Sequence, residues 1–332
     1  MFAKKKVVAL GLALTLALGL VAGCGGAGDQ KPAAKKMYNV GIAQLVEHAA
    51  LDAANKGFVD GLASKGYKEG QNVKFDKQNA QADQSNLQNI AQRFVSNKVD
   101  LICAIATPTA QTMANATKDI PIVGTAITDY EAAKLVKSNN APGANLTGTS
   151  DMNPIKEQID LLLQLAPNTK TIGCIYTSSE VNSEIQFKLM KEYAESKGLK
   201  VEAATISTVN DIQQAAQSLV GKVDAFYEPT DNIIASAMPT LLAVTDSAKK
   251  PIICGEANMV TAGGLATYGV DYYQLGKQSG MMAADILEGK AKPESMPIQF
   301  AKNLKAVFNK KDAAALGITI PADLLDGADI IE

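Results

Sequence analysis

From residue 38 onward the sequence alternates between short β-rich runs and amphipathic helical runs. The run "YNVGIAQ" precedes "LDAANKGFVDGLASKG", whose apolar residues recur at helical spacing. The pattern repeats with "NVKFDKQNA" and "SNLQNIAQRFVSNK", and again with "VDLICAIA" and "TAQTMANAT", before a fourth run, "PIVGTAI". Strands that alternate with helices build parallel βαβ units. This part of the chain therefore predicts a doubly wound parallel sheet.

The alternation pauses around "APGANLTGTSDMNPIKEQ" and then restarts with the strand "KTIGCIY". In the next helix, "EIQFKLMKEYAESKG", Ile185, Leu189 and Tyr193 are four residues apart and predict a buried stripe. Further strands and helices follow as far as "GLATYGV" and "YYQLGKQSGMMAADILEGK". A chain of 332 residues is too long for one ordinary core. We therefore expect two α/β lobes of similar size, each with its own core.

The composition excludes several classes of function. The net charge is only −2, tryptophan is absent and aromatic residues make up 5%, so neither a basic surface nor a stacking platform for nucleic acid is indicated. A single histidine, His48, excludes a histidine-rich metal site, and no G-x-S-x-G motif accompanies it. We interpret His48 as a lone polar residue at a helix start and expect neither a catalytic residue nor a metal or cofactor.

The N-terminal residues are not expected to belong to the fold. "MFAKKK" is a positively charged region, and the apolar run after it is short and ends in "LVAGC". This arrangement resembles a bacterial lipoprotein signal, which implies a signal peptide at residues 1–23 and lipidation of Cys24. Residues 24–37 are rich in Gly, Ala and Lys and predict a flexible tether. An uncleaved signal anchor is the alternative. Lipid and tether would keep the protein at the membrane surface, outside the cytoplasm.

The other three cysteines, Cys103, Cys174 and Cys254, lie in apolar, strand-like runs without a spacing motif. We expect buried free thiols that pack as small apolar groups. A disulfide between Cys174 and Cys254 is the alternative.

Polar residues follow nearly every predicted strand of both lobes. In open α/β sheets ligands bind beyond the carboxyl ends of the strands, so these residues are the candidates for a ligand site. They are Glu47, Thr107, Thr109, Thr128, Asp129, Ser178, Asn182, Asp231, Asn232 and Glu256.

The chemistry of this set favours a small ligand with two opposite charges. Hydroxyl groups at helix N-termini, together with free backbone N–H groups, bind a carboxylate. Carboxylates such as Asp231 and Glu256 attract an ammonium group. A free α-amino acid carries both charges. The alternative for each single residue is ordinary helix capping or turn chemistry.

Several long segments resemble the TrpX-type family of ABC-transporter substrate-binding lipoproteins, which have the type I periplasmic-binding-protein fold. Among them are "IATPTAQTMANATKDIPIV", "KVDAFYEPTDNIIASAM" and "GGLATYGVDYYQLGKQSGMMAADILEGK". The resemblance implies that the chain crosses three times between lobes. Lobe I would comprise residues 38–147 plus 271–298, and lobe II residues 148–270 plus 299–332. Hinge closure around the ligand and docking on ABC permease and ATPase subunits are also implied.

The resemblance further implies an amino acid, most often an aromatic one, as the ligand. By position, the hydroxyls of Thr107, Thr109 and Thr128 would hold its carboxylate from lobe I. Asp231 and Glu256 would hold its ammonium group from lobe II, and further hydrogen bonds would come from Ser178, Asn182 and Asn232.

Three alternatives stay open at this point. The same fold could bind a nucleoside or another small metabolite, or it could serve as a ligand-sensing module for a partner receptor. An enzyme is the third alternative, disfavoured by the absence of a nucleophile motif and of metal-ligand spacing.

Overall fold

The computed structural model of the protein describes residues 36–301 and 304–332. The predicted signal peptide, the lipidation site Cys24 and nearly all of the predicted tether lie outside the described residues.

The elements follow the predicted alternation. Within the described residues the structure has thirteen strands: β1 (Tyr38–Gln44), β2 (Val73–Asn79), β3 (Leu101–Ile105), β4 (Ile122–Ile127), β5 (Leu146–Ser150), β6 (Thr171–Thr177), β7 (Lys200–Ile206), β8 (Ala225–Glu228), β9 (Ile252–Cys254), β10 (Ala266–Val270), β11 (Gln299–Phe300), β12 (Leu304–Asn309) and β13 (Asp329–Ile331). The same part of the chain has eleven α-helices: α1 (Ala49–Ser64), α2 (Gln84–Ser96), α3 (Thr107–Ala116), α4 (Ile155–Leu165), α5 (Val181–Ser196), α6 (Ile212–Val220), α7 (Asn232–Ser236), α8 (Met238–Thr245), α9 (Ala257–Thr261), α10 (Tyr272–Leu287) and α11 (Lys310–Leu316).

The strands form two separate sheets, which define lobe I and lobe II. The six-stranded sheet of lobe I has the order β11-β5-β4-β3-β1-β2, and every pair in it is parallel. The seven-stranded sheet of lobe II has the order β13-β12-β10-β9-β8-β6-β7 and is parallel except between β10 and β12. The predicted fold class, two doubly wound parallel-sheet lobes, is confirmed.

The chain crosses between the two sheets three times, as predicted. The first crossing follows β5, the second is Asp271 between β10 and α10, and the third lies between β11 and β12. The predicted boundaries need correction: residues 148–150 of β5 and the whole of β11 belong to the sheet of lobe I, because both pair within it. The first and third crossings therefore begin two or three residues later than the sequence indicated, whereas the second lies at the predicted position.

Helix α10 follows a strand of lobe II but packs on α1 of lobe I. Leu275 and Met282 of α10 join the same buried cluster as Phe58 of α1. The two helix backbones touch at glycines: a Cβ atom on Gly276 would lie 2.0 Å from the carbonyl oxygen of Ala54. This close contact ties the start of α10, and with it the second crossing, to lobe I.

The three cysteine thiols within the described residues are buried and free, as predicted. In that part of the chain, none of the helices has the length and the apolar character needed to cross a membrane.

Candidate functional site

A narrow cavity lies between the two lobes, beyond the carboxyl ends of the strands. It has room for about 10 Å³, roughly the volume that one water molecule needs. Both lobes, the first crossing and the first residue of α10 contribute its walls. The lining residues are His48, Leu51, Ala126, Thr128, Asp151, Asn182, Thr230, Asp231, Asn232, Ala235, Glu256 and Tyr272.

Two strand ends of lobe I next to this cavity have an unusual backbone. Ala106, after β3, has φ +82°, and Ala126, near the end of β4, has φ +55°. The pairing of β4 with β5 also shifts register between Gly124 and Ile127. Non-glycine residues in this region of φ are strained and are kept where the surrounding structure holds them in place. Ala126 lines the cavity, and Ala106 is next to it, since its backbone N–H donates to the carbonyl oxygen of Thr125.

Asp151 and Tyr272 form a buried pair at the crossings. The phenol Oη of Tyr272 donates to Asp151 Oδ2 over 2.7 Å, whereas Asp151 Oδ1 is buried without a hydrogen-bond partner. Burial raises the pKa of Asp151, although the hydroxyls of Tyr272 and, more weakly, Thr128 oppose the shift. Burial also raises the pKa of Tyr272 well above its usual value, so its hydroxyl stays protonated and donates.

Glu180 organises the amide groups on the lobe II side of the cavity. Its Oε2 accepts from the side-chain amides of Asn182 and Asn232 and from the backbone N–H of Asn232. Burial, and next the negative charge of Asp231, raise the pKa of Glu180 to about 8. Asn182 Nδ2 also donates to the carbonyl oxygen of Thr230, but Asn182 Oδ1 is buried and unpartnered.

Two hydrogen bonds connect the lobes across the cavity. His48 Nε2 lies 3.2 Å from Asn232 Oδ1, and Gln186 Nε2 donates to Thr128 Oγ1 over 3.4 Å. His48 Nδ1 is buried and has no partner. In addition, Val181 at the start of α5 packs against the core of lobe I. The lobes are thus closed on each other.

Asp231 is fully buried and accepts four hydrogen bonds. Its Oδ1 accepts from the Thr177 hydroxyl and from the backbone N–H groups of Ile233 and Ile234, and its Oδ2 accepts from the backbone N–H of Thr177. The carboxylate therefore caps α7 and fastens it to the end of β6.

Glu256 has a comparable place at the start of α9. Its carboxylate accepts from the backbone N–H groups of Asn258 and Met259 and from the side-chain amide of Asn258. Burial raises the pKa of Glu256 to about 7, although these three bonds lower it. At neutral pH the group is close to half-protonated.

The predicted site residues fall into two groups. Five of them line the cavity: Thr128, Asn182, Asp231, Asn232 and Glu256. The other five do not. Glu47 and Ser178 are exposed, and Asp129 accepts from the backbone N–H groups of its own turn. Thr107 and Thr109 are buried at the start of α3, next to the strained Ala106, and both hydroxyls lack a partner.

Sequence reasoning did not select His48, Asp151 or Tyr272 for the site. His48 was interpreted as a lone polar residue at a helix start, and it does occupy the N-cap position of α1, yet its side chain makes no capping bond. Asp151 directly follows β5, and Tyr272 comes two residues after β10. The rule that points to strand ends would have found Asp151 if β5 had been recognised as a strand. It already covered Tyr272, because β10 was predicted from "GLATYGV".

Two α/β lobes, three crossings and a polar cavity between the lobes define a solute-binding protein of the type I periplasmic-binding fold. The sequence matches the family model described as ABC transporter substrate binding protein over residues 39–331. The chain belongs to this family, whose members act outside the cytoplasm.

Two relatives match most of the chain, and one of them has a functional name. A tyrosine-binding protein from Clostridioides difficile (strain R20291) is 45% identical over 323 residues, covering 95% of this chain and 93% of the relative. An uncharacterised protein from Rickettsia prowazekii (strain Madrid E) is 29% identical over 234 residues, covering 70% of this chain and 72% of that protein.

Two solved structures with the same 44% identity differ in how well they superpose. An ABC domain from Streptococcus pneumoniae in complex with L-Trp has a TM-score of 0.86, covering 90% of this chain and 100% of that one. The ligand-free, open structure of a substrate-binding protein with adhesive properties from Clostridium difficile has a TM-score of 0.69, covering 89% of this chain and 99% of that one. The lobes of this protein are therefore arranged more like those of the complex than those of the open structure.

Proposed function

We propose that this protein binds a free aromatic amino acid in the cavity between its lobes and delivers it to the permease and ATPase subunits of an ABC importer. It acts as a receptor and not as an enzyme. The two relatives above 40% identity whose names state a ligand, tyrosine in one and L-Trp in the other, support an aromatic amino acid.

The observation that carries this proposal is a set of buried acceptors without donors. Asp151 Oδ1, Asn182 Oδ1 and His48 Nδ1 belong to residues that line the cavity, and none of these atoms has a partner. A buried, unsatisfied polar atom costs about 1–3 kcal/mol. A ligand that brings N–H or O–H donors removes this cost. The ammonium group of an amino acid has three donors and a positive charge, which suits Asp151 and Asn182.

The carboxylate of the ligand is assigned to the start of α3. The Thr107 and Thr109 hydroxyls are buried there without partners, and the helix N-terminus adds the positive end of its dipole. Both residues lie within four residues of the end of β3, which is hydrogen-bonded to β4, the strand that contains the cavity-lining Ala126. Donors for the carboxylate in lobe I, and acceptors for the ammonium group at the crossings and in lobe II, would hold the two lobes together through the ligand.

Binding requires the lobes to separate first. A cavity of about 10 Å³ does not hold an amino acid, so the ligand enters when the crossings bend, and the lobes then close around it less far than they do in this structure. In this proposal Asp231 and Glu256 are not ligand contacts; they fix α7 and α9 so that the neighbouring groups are correctly placed.

The proposed place of action is the outer surface of the membrane, with Cys24 as the lipidated residue. Metabolic labelling with an alkyne-tagged fatty acid tests this part, since the label should be present on the wild-type protein and absent from the Cys24→Ala variant.

A thermal-melting screen tests the ligand class. Tyrosine, tryptophan, phenylalanine and the other amino acids are added singly, with nucleosides and sugars as the alternative classes. A ligand that binds only the folded protein raises Tm by mass action. We expect the largest rise with tyrosine or tryptophan; a rise with a nucleoside alone would replace the proposal by the nucleoside alternative.

A further inference from the structure

His48 is the single histidine of the chain, and it joins the two lobes. Its Nε2 contacts Asn232 Oδ1 over 3.2 Å, from the N-cap position of α1 in lobe I to the start of α7 in lobe II. At this position the side chain makes no capping bond to its own helix. The ring is therefore available to the cavity.

The surroundings of Asn232 decide which nitrogen of His48 carries the proton. Asn232 Nδ2 and the backbone N–H of Asn232 both donate to Glu180 Oε2. Glu180 Oε2 also accepts from Asn182 Nδ2, so a proton on Glu180 is carried by Oε1, and the reversed amide of Asn232 would aim its oxygen at the acceptor Oε2 and lose a hydrogen bond. Asn232 Oδ1 therefore faces His48, and since an amide oxygen only accepts, Nε2 of His48 must be the donor.

The other ring nitrogen, Nδ1, is left as an acceptor. Burial lowers the pKa of His48, while the bond to Asn232 and the charges of Asp52 and Asp231 act in the opposite direction. The ring is neutral at neutral pH, so a proton on Nε2 leaves a lone pair on Nδ1. This atom is buried and unpartnered.

Part of the wall of the cavity that His48 lines is apolar. Leu51 follows His48 by about one helical turn on α1, and Ala235 follows Asn232 on α7; both line the cavity. An ammonium group is better placed beside the carboxylate of Asp151, because a charge among apolar side chains is costly. An aromatic ring suits the apolar walls, and a neutral donor at its edge suits Nδ1.

We infer that Nδ1 of His48 accepts a hydrogen bond from a donor on the ring of the bound amino acid, a phenol O–H or an indole N–H, so that the site selects tyrosine and tryptophan over phenylalanine. This inference rests on the proposed function. Phenylalanine would fill the same walls but leave Nδ1 unsatisfied. Sites built to bind a ligand hydroxyl discriminate strongly against the analogue that lacks it. We expect at least about tenfold weaker binding of phenylalanine than of tyrosine.

Two substitutions separate the acceptor from the contact between the lobes. In His48→Gln, the side-chain amide reaches far enough to donate to Asn232, but no acceptor stands at the position of Nδ1. In His48→Asn, an oxygen can replace Nδ1, but the side chain is too short to reach Asn232. Calorimetry gives the ratio of the phenylalanine and tyrosine dissociation constants for each protein.

We expect His48→Gln to reduce this ratio about tenfold or more. His48→Asn should keep most of the ratio while weakening both ligands. An unchanged ratio in His48→Gln, with a wild-type protein that binds tyrosine, would overturn this inference alone. A wild-type protein that binds none of the three aromatic amino acids would overturn the proposed function, and this inference with it.

Nuclear magnetic resonance on the unsubstituted protein gives a second test that does not depend on how the variants fold. With a single histidine, long-range ¹H–¹⁵N correlations of the imidazole need no assignment. We expect a protonated Nε2, an unprotonated Nδ1, and a change in the Nδ1 shift on addition of tyrosine that phenylalanine does not cause. A protonated Nδ1, or equal responses to the two amino acids, would contradict the inference.

Discussion

The phenol of Tyr272 donates a 2.7 Å hydrogen bond to Asp151; Asp151 lies in the first crossing between the lobes, and Tyr272 directly follows the second. The bond uses Oδ2 of the carboxylate and leaves Oδ1 buried beside the cavity without a partner. One side chain thus joins the hinge to the ligand site. We propose that the ammonium group of the ligand binds the free oxygen. Binding of the ligand is then coupled to the positions of the crossings through Asp151.

Asp151→Asn should weaken binding of the amino acid by about 10- to 100-fold, which corresponds to the loss of a charge-assisted hydrogen bond of about 1.5–3 kcal/mol. The free protein should melt no lower than wild type, because the substitution removes a buried charge and can keep an acceptor for Tyr272. Calorimetry and thermal melting measure the two effects. Asp271→Asn is the matched control, since Asp271 is an exposed N-cap residue next to Tyr272, and it should bind like wild type. Equal affinities of both variants would exclude Asp151 from the site.

Asp231→Ala should reduce the free energy of unfolding by about 3 kcal/mol or more, because it leaves four donors in the protein interior without their acceptor. Asp83→Ala, at the exposed N-cap of α2 with one accepted bond, should cost about 1 kcal/mol. Urea denaturation of the two variants makes the comparison. If Asp231→Ala unfolds like wild type but no longer binds the ligand, the sequence-based assignment of Asp231 to the ammonium group is right after all.

Glu256 should make the stability of the protein decrease as pH rises. Its pKa is about 7 in the folded protein and near 4.5 when unfolded, so the folded state holds the proton more tightly. This contribution is fully present below pH 4.5 and is lost as pH rises through 7. Between pH 5 and pH 8 wild type should lose about 2–3 kcal/mol more than Glu256→Gln, which does not titrate. Denaturation at both pH values measures this difference, and Glu202→Gln, at an exposed strand position, should follow wild type. Parallel pH profiles of wild type and Glu256→Gln would contradict the raised pKa.

Gly276→Ala should destabilise the protein by about 3 kcal/mol, since its new Cβ would lie 2.0 Å from the carbonyl oxygen of Ala54 and force α10 away from α1. Gly221→Ala is the contrasting case: φ is −83° and no atom lies within 4 Å of the added Cβ. It should be neutral or stabilise by up to about 1 kcal/mol. Thermal melting of the two variants distinguishes them. Similar melting temperatures would show that α1 and α10 can move apart to fit the added methyl group without loss of stability.

The fold was largely predictable because apolar strands and amphipathic helices alternate so regularly. Strand β5 could not be predicted in this way, because "LTGTS" lacks the run of apolar residues expected of a buried strand. Thr147 and Thr149 are nevertheless fully buried, since their hydroxyls find partners in the carbonyl oxygen of Met296 and the hydroxyl of Thr125. Missing β5 also concealed Asp151, the residue that follows it.

Helix α5 shows a second limit of the pattern. The predicted stripe of Ile185, Leu189 and Tyr193 is wrong at its centre, because Leu189 is 43% exposed. The buried face instead includes Asn182, Gln186 and Met190. Amide groups occupy it because the first two turns of α5 face the cavity and lobe I, where hydrogen bonds replace apolar packing. A periodicity of apolar residues cannot reveal a polar buried face.

The polar residues of the candidate site were partly predictable, from their positions after strands. The sequence pattern does not show which of these residues already have hydrogen-bond partners. The carboxylate of Asp231 accepts hydrogen bonds from the backbone of α7, whereas Asp151 has one carboxylate oxygen without a partner. That distinction depends on contacts between residues far apart in the chain.

The most direct test of the account is isothermal titration calorimetry of the wild-type protein with L-tyrosine and L-tryptophan, each up to its solubility limit, with leucine and uridine as comparisons. We expect one binding site per chain for at least one of the two aromatic amino acids, with weaker or no binding of leucine and uridine. Absence of binding heat with both aromatic amino acids at several temperatures, or binding of uridine alone, would contradict it.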